Sequence, residues 1–187
     1  MENYKKNLEL LTKNHVYSKE MEHDACGVGL IASTEGKKSR AIVEYGIEAL
    51  KAVWHRGAVD ADGKTGDGAG IHVEIPKDFF IEKIQVTGHD YDNSEICVGM
   101  IFLPRNDYSA QESCKTIVES ELTKNNFSIY GWRQVPVNPK VLGEKALQTM
   151  PEIIQVLFKS NNPNLLDKNL ERKIYETRKR IENKTFD

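Results

Sequence analysis

Near its beginning the chain reads His23-Asp24-Ala25-Cys26-Gly27-Val28-Gly29-Leu30-Ile31-Ala32. A thiol stands at the head of a short apolar run. Val28, Leu30 and Ile31 favour a strand, and Gly27 and Gly29 flank Val28. Glycine weakens a strand unless another backbone or a ligand approaches closely. The stretch therefore offers a thiol at the mouth of a strand with little bulk around it. The residues before Cys26 are polar and small, as an exposed, cleavable connection would be. Two readings of Cys26 stand side by side on these residues alone. One is a nucleophile that becomes the first residue of the mature chain. The other is a small hydrophobe inside a core strand, where free cysteines are often found.

Outward from that stretch, composition sets the bounds. The 187 residues suffice for one domain with a real core. Hydrophobic residues make up 39% and charged residues 29%, the balance of a globular chain. A formal net charge of -2 argues against a nucleic-acid surface. No apolar run approaches the ~20 residues of a membrane span. Residues 1–25 are rich in Lys, Glu and Asn and hold no continuous apolar segment, so they do not read as a secretory signal. They read as an extension or propeptide, and cytoplasmic residence is the expectation. Cys26, Cys97 and Cys114 are odd in number and widely spaced, which fits neither a disulfide framework nor a zinc knuckle. The five histidines are scattered, without H-x-x-x-H spacing, so no metal site is expected.

Periodicity gives the rest of the order. Residues 26–33 read as a first strand and Glu35-Gly36-Lys37-Lys38 as a turn. Ser39 is a helix cap, and Val43, Ile47, Leu50 and Trp54 mark one helical face. Residues 55–70 hold five glycines and read as a loop with unusual backbone angles. Gly66-Asp67-Gly68-Ala69-Gly70 lacks the P-loop pattern and precedes a strand, not a helix. Residues 71–75 alternate as a second strand, and Pro76 opens a helix to about Ile84. Glu95–Leu103 reads as a buried strand. Ser109-Ala110-Gln111-Glu112 fits a capping box, and Ala110, Cys114, Ile117 and Leu122 would face the core. Cys97 would point away from Ile96 and Val98. Strands at 127–135 and 153–158 flank a short helix at 142–149. A long helix then follows Asn162-Pro163, with Leu166, Leu170, Ile174, Thr177 and Ile181 inward. The expectation is an α+β sheet packed by helices, with strand direction left open by the pattern.

Several separated motifs together carry a resemblance. They are Glu22-His23-Asp24-Ala25-Cys26-Gly27-Val28-Gly29, His55-Arg56-Gly57-Ala58, Thr65-Gly66-Asp67-Gly68-Ala69-Gly70, Gly131-Trp132-Arg133-Gln134-Val135-Pro136, and the run from Leu170 to Glu182. In this order they resemble the glutaminase domain of the glutamate synthase large subunits. That domain is a class II glutamine amidotransferase of the N-terminal-nucleophile (Ntn) hydrolase type.

The resemblance implies a four-layer αββα sandwich, of which this chain would be the N-terminal part. It implies removal of residues 1–25, leaving Cys26 at the start of a domain over 26–187. An α-amine titrating near ~8 could then take the thiol proton at neutral pH. Cys26 would hydrolyse L-glutamine to glutamate and ammonia, and the ammonia would aminate 2-oxoglutarate at a synthase domain. That whole enzyme uses FMN and an iron–sulfur cluster, with NADPH, NADH or ferredoxin as electron source, and in some members a reductase small subunit. No cofactor is expected in this segment. The resemblance places Arg56 near the site, in substrate or loop placement; an arginine tying the Gly-rich loop to the sheet is the alternative. Asp67 reads as a turn cap. An arginine gripping the glutamine carboxylate, an Asn-Gly oxyanion pair and a further aspartate would lie beyond Asp187, so the domain is expected to be incomplete at its C-terminus and the piece alone to have little activity. Two other readings remain: a class II amidotransferase with another acceptor, and a non-catalytic module of the same fold.

Overall fold

The computed structural model describes residues 6, 10, 13, 27–54 and 57–185. The described residues up to Ala58, with Gly66–Ile71, form one unit. Val59–Thr65 and the residues from His72 onward form the other.

In the first unit, a turn closed by Gly36 N donating to Ser33 O at 3.2 Å leads into helix α1, Arg40–Ala52. Ser39 caps it as expected: its Oγ accepts from Ala41 N at 3.2 Å, satisfying one of the helix's free amides. Val43, Ile47 and Leu50 lie on the less exposed side, whereas Trp54 is exposed. The expected first strand does not form: 27–33 is irregular backbone, with Val28 93% and Leu30 89% exposed. Residues 71–75 are likewise irregular, with Ile71 and Val73 about half exposed. The reason is common to both. Strand backbone needs a partner for every N–H and C=O, and an alternating sequence supplies none by itself.

The second unit is built on one antiparallel sheet, in the order β1-β3-β2: β1 Cys97–Leu103, β2 Phe127–Gln134 and β3 Glu152–Ser160. β3 is central. Ile154 through Phe158 are all buried, and Leu157 is 0% exposed. Helices α3, Tyr108–Lys124, and α5, Asp167–Thr185, cover one face. There Val118, Leu122 and Leu170 pack with Cys97, Phe127, Val156 and Phe158. Helix α2, Lys77–Val86, covers the other face, where Phe80 and Ile84 pack with Ile96, Tyr130 and Leu157. Cys97 thus faces away from Ile96 and Val98, as their alternation predicts. Each fully buried Leu, Val or Phe contributes about 1.5–3 kcal/mol by leaving water.

Three local expectations are corrected here. Asp107, not Ser109, caps α3: its Oδ1 accepts from Ala110 N at 2.9 Å, while Glu112 pairs with Lys115. Cys114 is half-buried, and the core face of α3 runs through Gln111, Val118, Glu121 and Leu122. The long helix starts at Asp167, because Asn162 first turns the chain by accepting from Asn164 N at 3.0 Å.

β2 also carries a bulge between Ile129 and Gly131. Gly131 has φ 149°, and a Cβ there would lie 2.7 Å from Thr87 Cγ2. Thr87 Oγ1 in turn sits 2.7 Å from Tyr130 O. The glycine of the Gly131-Trp132-Arg133 motif is therefore required by backbone angle and by close approach together.

Candidate functional site

The short 3₁₀ turn Pro139–Val141 leads into α4, Glu144–Thr149. In the second unit this segment meets the Asp60–Thr65 turn. Cys26, His55 and Arg56 themselves lie outside the described residues.

In the first unit the structure brings Gly57 and Asp67 together. Gly57 N donates to Trp54 O at 3.0 Å, closing the turn after α1. A Cβ at Gly57 would lie 3.3 Å from Trp54 O and 3.4 Å from Asp67 Oδ1. The small size of Gly57 thus lets the Asp67 carboxylate come near. Asp67 as a turn cap has no hydrogen bond described in its support.

Within the second unit, Asp60–Thr65 folds back on itself. Asp60 N donates to Thr65 O at 2.8 Å and Gly63 N to Asp60 O at 3.0 Å, with Gly63 at φ 68°. Asp62 organises the turn. Its Oδ1 accepts from Lys64 N at 2.9 Å and Thr65 N at 2.7 Å, and its Oδ2 from the Thr65 hydroxyl. Helix α4 completes the arrangement: Lys145 N lies 3.5 Å from Asp62 Oδ2, Ala146 N donates to Thr65 Oγ1 at 3.4 Å, and Lys145 Nζ pairs with Asp60. The hydroxyl and amide of Thr65, with the Lys64 amide, hold the Asp62 carboxyl well below the usual carboxylate range. The Lys145 ammonium, helped by the Ala61 amide, does the same for Asp60. Both are carboxylates at neutral pH and act as acceptors rather than as acids.

A second polar cluster ties the segment after α2 to the sheet. Asp92 accepts from the Tyr130 hydroxyl at 2.9 Å and from Ser94 N at 3.2 Å, and it pairs with Lys159. Lys159, then Ser94, keep the Asp92 carboxyl low. Burial, then Asp92, pushes the Tyr130 phenol above its ordinary value. Neither group exchanges a proton near neutrality, so the cluster is a fastening.

Of the other two thiols, Cys97 has a setting that disfavours a nucleophile. Burial, reinforced by Glu95 and Glu171, pushes the Cys97 thiol up to about 12. Thiolate is the reactive form, so Cys97 is inert at neutral pH. Cys114 sits half-buried on α3. No group of three or more His, Cys, Asp or Glu side chains suited to a metal ion occurs among the described residues. Nor is any described helix long and apolar enough to cross a membrane.

Sequence reasoning passed over Asp62 and Gly143. A signal for the first was present, since Asp62-Gly63-Lys64-Thr65 is turn chemistry of the Asx type. Gly143 carries no local signal: its partners are about eighty positions away.

Comparison with known proteins adds a second kind of evidence. Residues 26–187 match the family described as Glutamine amidotransferases class-II. The chain is 53% identical over 179 residues to the glutamate synthase [NADPH] large chain of Azospirillum brasilense, covering 96% of this chain and 12% of that protein. It is 40% identical over 174 residues to the ferredoxin-dependent glutamate synthase of Pyropia yezoensis, covering 92% and 11%. It is also 40% identical over 162 residues to the ferredoxin-dependent glutamate synthase 1, chloroplastic/mitochondrial, of Arabidopsis thaliana, covering 86% and 10%. The chain thus spans about a tenth of the length of the curated relatives it matches.

Proposed function

The chain belongs to the class II glutamine amidotransferases, and on that premise we propose that Cys26 hydrolyses glutamine to supply ammonia for glutamate synthesis. The observation that carries the reading is where the family match begins: its first residue is Cys26. Residues 1–25 are then a leader whose removal frees the Cys26 α-amine. That amine takes the thiol proton, and the thiolate attacks the side-chain amide carbon of glutamine. The C–N bond breaks as nitrogen regains the proton and leaves as ammonia. Water then cleaves the γ-glutamyl thioester to glutamate and restores the thiol. Arg56, next to Gly57 and so close in sequence to the Asp67 contact, helps place the substrate or the loop.

The sheet of the second unit, with α3 and α5 on one face and α2 on the other, supports α+β architecture. We take it as part of a four-layer αββα sandwich over 26–187. The three relatives named above are all glutamate synthases, which favours 2-oxoglutarate amination over another acceptor. FMN and an iron–sulfur cluster would serve a synthase domain, with NADPH or ferredoxin as electron source, and a reductase small subunit could complete the assembly. Three widely spaced cysteines do not supply the four thiolates of such a cluster. Cytoplasmic residence is part of this reading, although the Arabidopsis thaliana relative is named chloroplastic/mitochondrial.

The test uses the natural protein expressed from its own gene. Ammonia release from glutamine is followed for the wild type, Cys26→Ala and Cys26→Ser. The reading predicts turnover that both substitutions abolish. Turnover that survives them would overturn the role of Cys26, and none in the wild type would favour the non-catalytic alternative.

A further inference from the structure

Among the described residues one acid is buried, Glu121 on α3, and the reaction proposed above makes no use of it. It is 3% exposed and shares the inward side of the helix with Val118 and Leu122. The other buried polar residues, Gln111, Asn125, Gln155 and Thr177, carry no charge. A buried carboxylate is costly unless it is paired and hydrogen-bonded. Glu121 Oε1 accepts from Lys184 Nζ at 2.7 Å, and Lys124 Nζ lies 3.4 Å from the same oxygen. Lys184 first, and Lys124 after it, hold the carboxyl below its ordinary value.

The sequence of α5 places that lysine. Leu170, Ile174, Thr177 and Ile181 fall on its inward side at spacings of four, three and four. The next step of three reaches Lys184. The apolar seam of α5 therefore stops at Ile181, and an ion pair to α3 holds the turn beyond it. Arg180, also on α5, repels the Lys184 ammonium. Lys124 stands on α3 itself, three positions from Glu121, so its reach does not depend on where α5 lies.

We propose that Glu121 and its two lysines form a charge-keyed latch for the last turn of α5. Lys184 closes the latch. When Lys184 loses its charge or swings out, Lys124 shortens its 3.4 Å approach to the ordinary ~2.8 Å of a charged hydrogen bond and keeps the carboxylate paired. The end of α5 is then released while the core between α3 and the sheet stays intact. The sign of the linkage excludes a pH switch near neutrality. A carboxyl held low in the folded state contributes fully above its ordinary range, and that contribution fades only as the pH falls below it. The latch answers to the charge on Lys184, whose side chain is half exposed.

The experiment measures amide hydrogen exchange and denaturant unfolding at pH 7 on the natural protein. Wild type is compared with Lys184→Met, Lys184→Arg, Lys124→Ala and the double variant Lys124→Ala/Lys184→Met. Lys184→Met should speed exchange over 181–185 by about 10-fold or more, the scale of losing a hydrogen bond to a charged group. Exchange at 97–103, 118–122 and 152–160 should not change. Lys184→Arg keeps the charge and should stay close to wild type, and Lys124→Ala should leave 181–185 protected. The double variant leaves Glu121 buried without a cation. Its unfolding midpoint should fall by more than the two single shifts added together, and faster exchange should spread to 118–122. Adding Glu121→Gln to the double variant should recover most of that excess. Wild-type protection at 181–185 in Lys184→Met, or faster exchange over the whole sheet in that variant, would overturn the latch. Simple additivity in the double variant would overturn the part given to Lys124.

Discussion

Strand β3 and the segment 27–33 look alike in sequence and behave differently in the structure. Both are short runs rich in Val, Ile and Leu. β3 pairs on both edges, and its residues Ile154–Phe158 are buried between helices on both faces. Residues 27–33 carry no strand, and Val28 and Leu30 stand almost fully exposed. Apolar pattern says that a face can be buried; a paired neighbour on each side makes it a strand. The difference also divides labour. The part with a complete core supplies stability, and the part around the candidate nucleophile supplies small residues and open backbone.

The largest expected effect comes from cutting into β3. Leu157→Ala should destabilise by about 2–5 kcal/mol, the usual cost of a buried leucine truncation. Leu30→Ala should change stability by less than ~0.5 kcal/mol, as for exposed positions generally. Denaturant unfolding of both variants checks the contrast. Equal losses would mean that 27–33 is packed in solution.

Next is the bulge. Gly131→Ala places a Cβ against Thr87 at an unfavourable φ, with an expected cost of about 1–3 kcal/mol. Thr87→Ala also removes the hydroxyl bound to Tyr130 O, so it should destabilise on its own. In the double variant the two costs should be less than additive, because the steric part is shared. Strict additivity in a double-mutant cycle would show that Gly131 answers to backbone angle alone.

A smaller effect separates two rival caps. Asp107→Ala should cost about 1 kcal/mol, the typical value of an N-cap, and Ser109→Ala less than ~0.5 kcal/mol. The smallest effect concerns reactivity and not stability. With its thiol pushed up to about 12, Cys97 stays protonated from pH 6 to 9 and should resist alkylation throughout. Of these two thiols, half-buried Cys114 should react first. Mass mapping of iodoacetamide adducts over that range reads both sites. The linkage sign is that of an acid with a raised folded value: the unfolded thiol ionises first, so Cys97 lowers stability only as pH rises above ~8.5.

What the sequence made legible follows the reach of each signal. β3 was visible because Ile153-Ile154 and Val156-Leu157-Phe158 are apolar on either side of a single Gln155, and α1 because Ser39 and a four-three-four spacing agree. Asp107 lost to Ser109 on the page because Ser-x-x-Glu is the better-known pattern. In the structure Asp107 stands at the first free amides and Ser109 is already inside the helix. Segments 27–33 and 71–75 were misread because pairing is a property of other parts of a chain. Cys26 is proposed from its motif and from the order of the motifs that follow it. The close approach of Gly143 to the Asp62–Thr65 turn was not legible, since a contact across about eighty residues leaves no periodic trace.

The most direct measurement treats the natural protein with an electrophilic glutamine analogue and maps the adduct by peptide mass spectrometry. The account predicts a chain that begins at Cys26, an adduct on that residue alone, and protection by excess glutamine. An adduct on Cys114, labelling indifferent to glutamine, or an active protein still carrying Met1–Ala25 would contradict it.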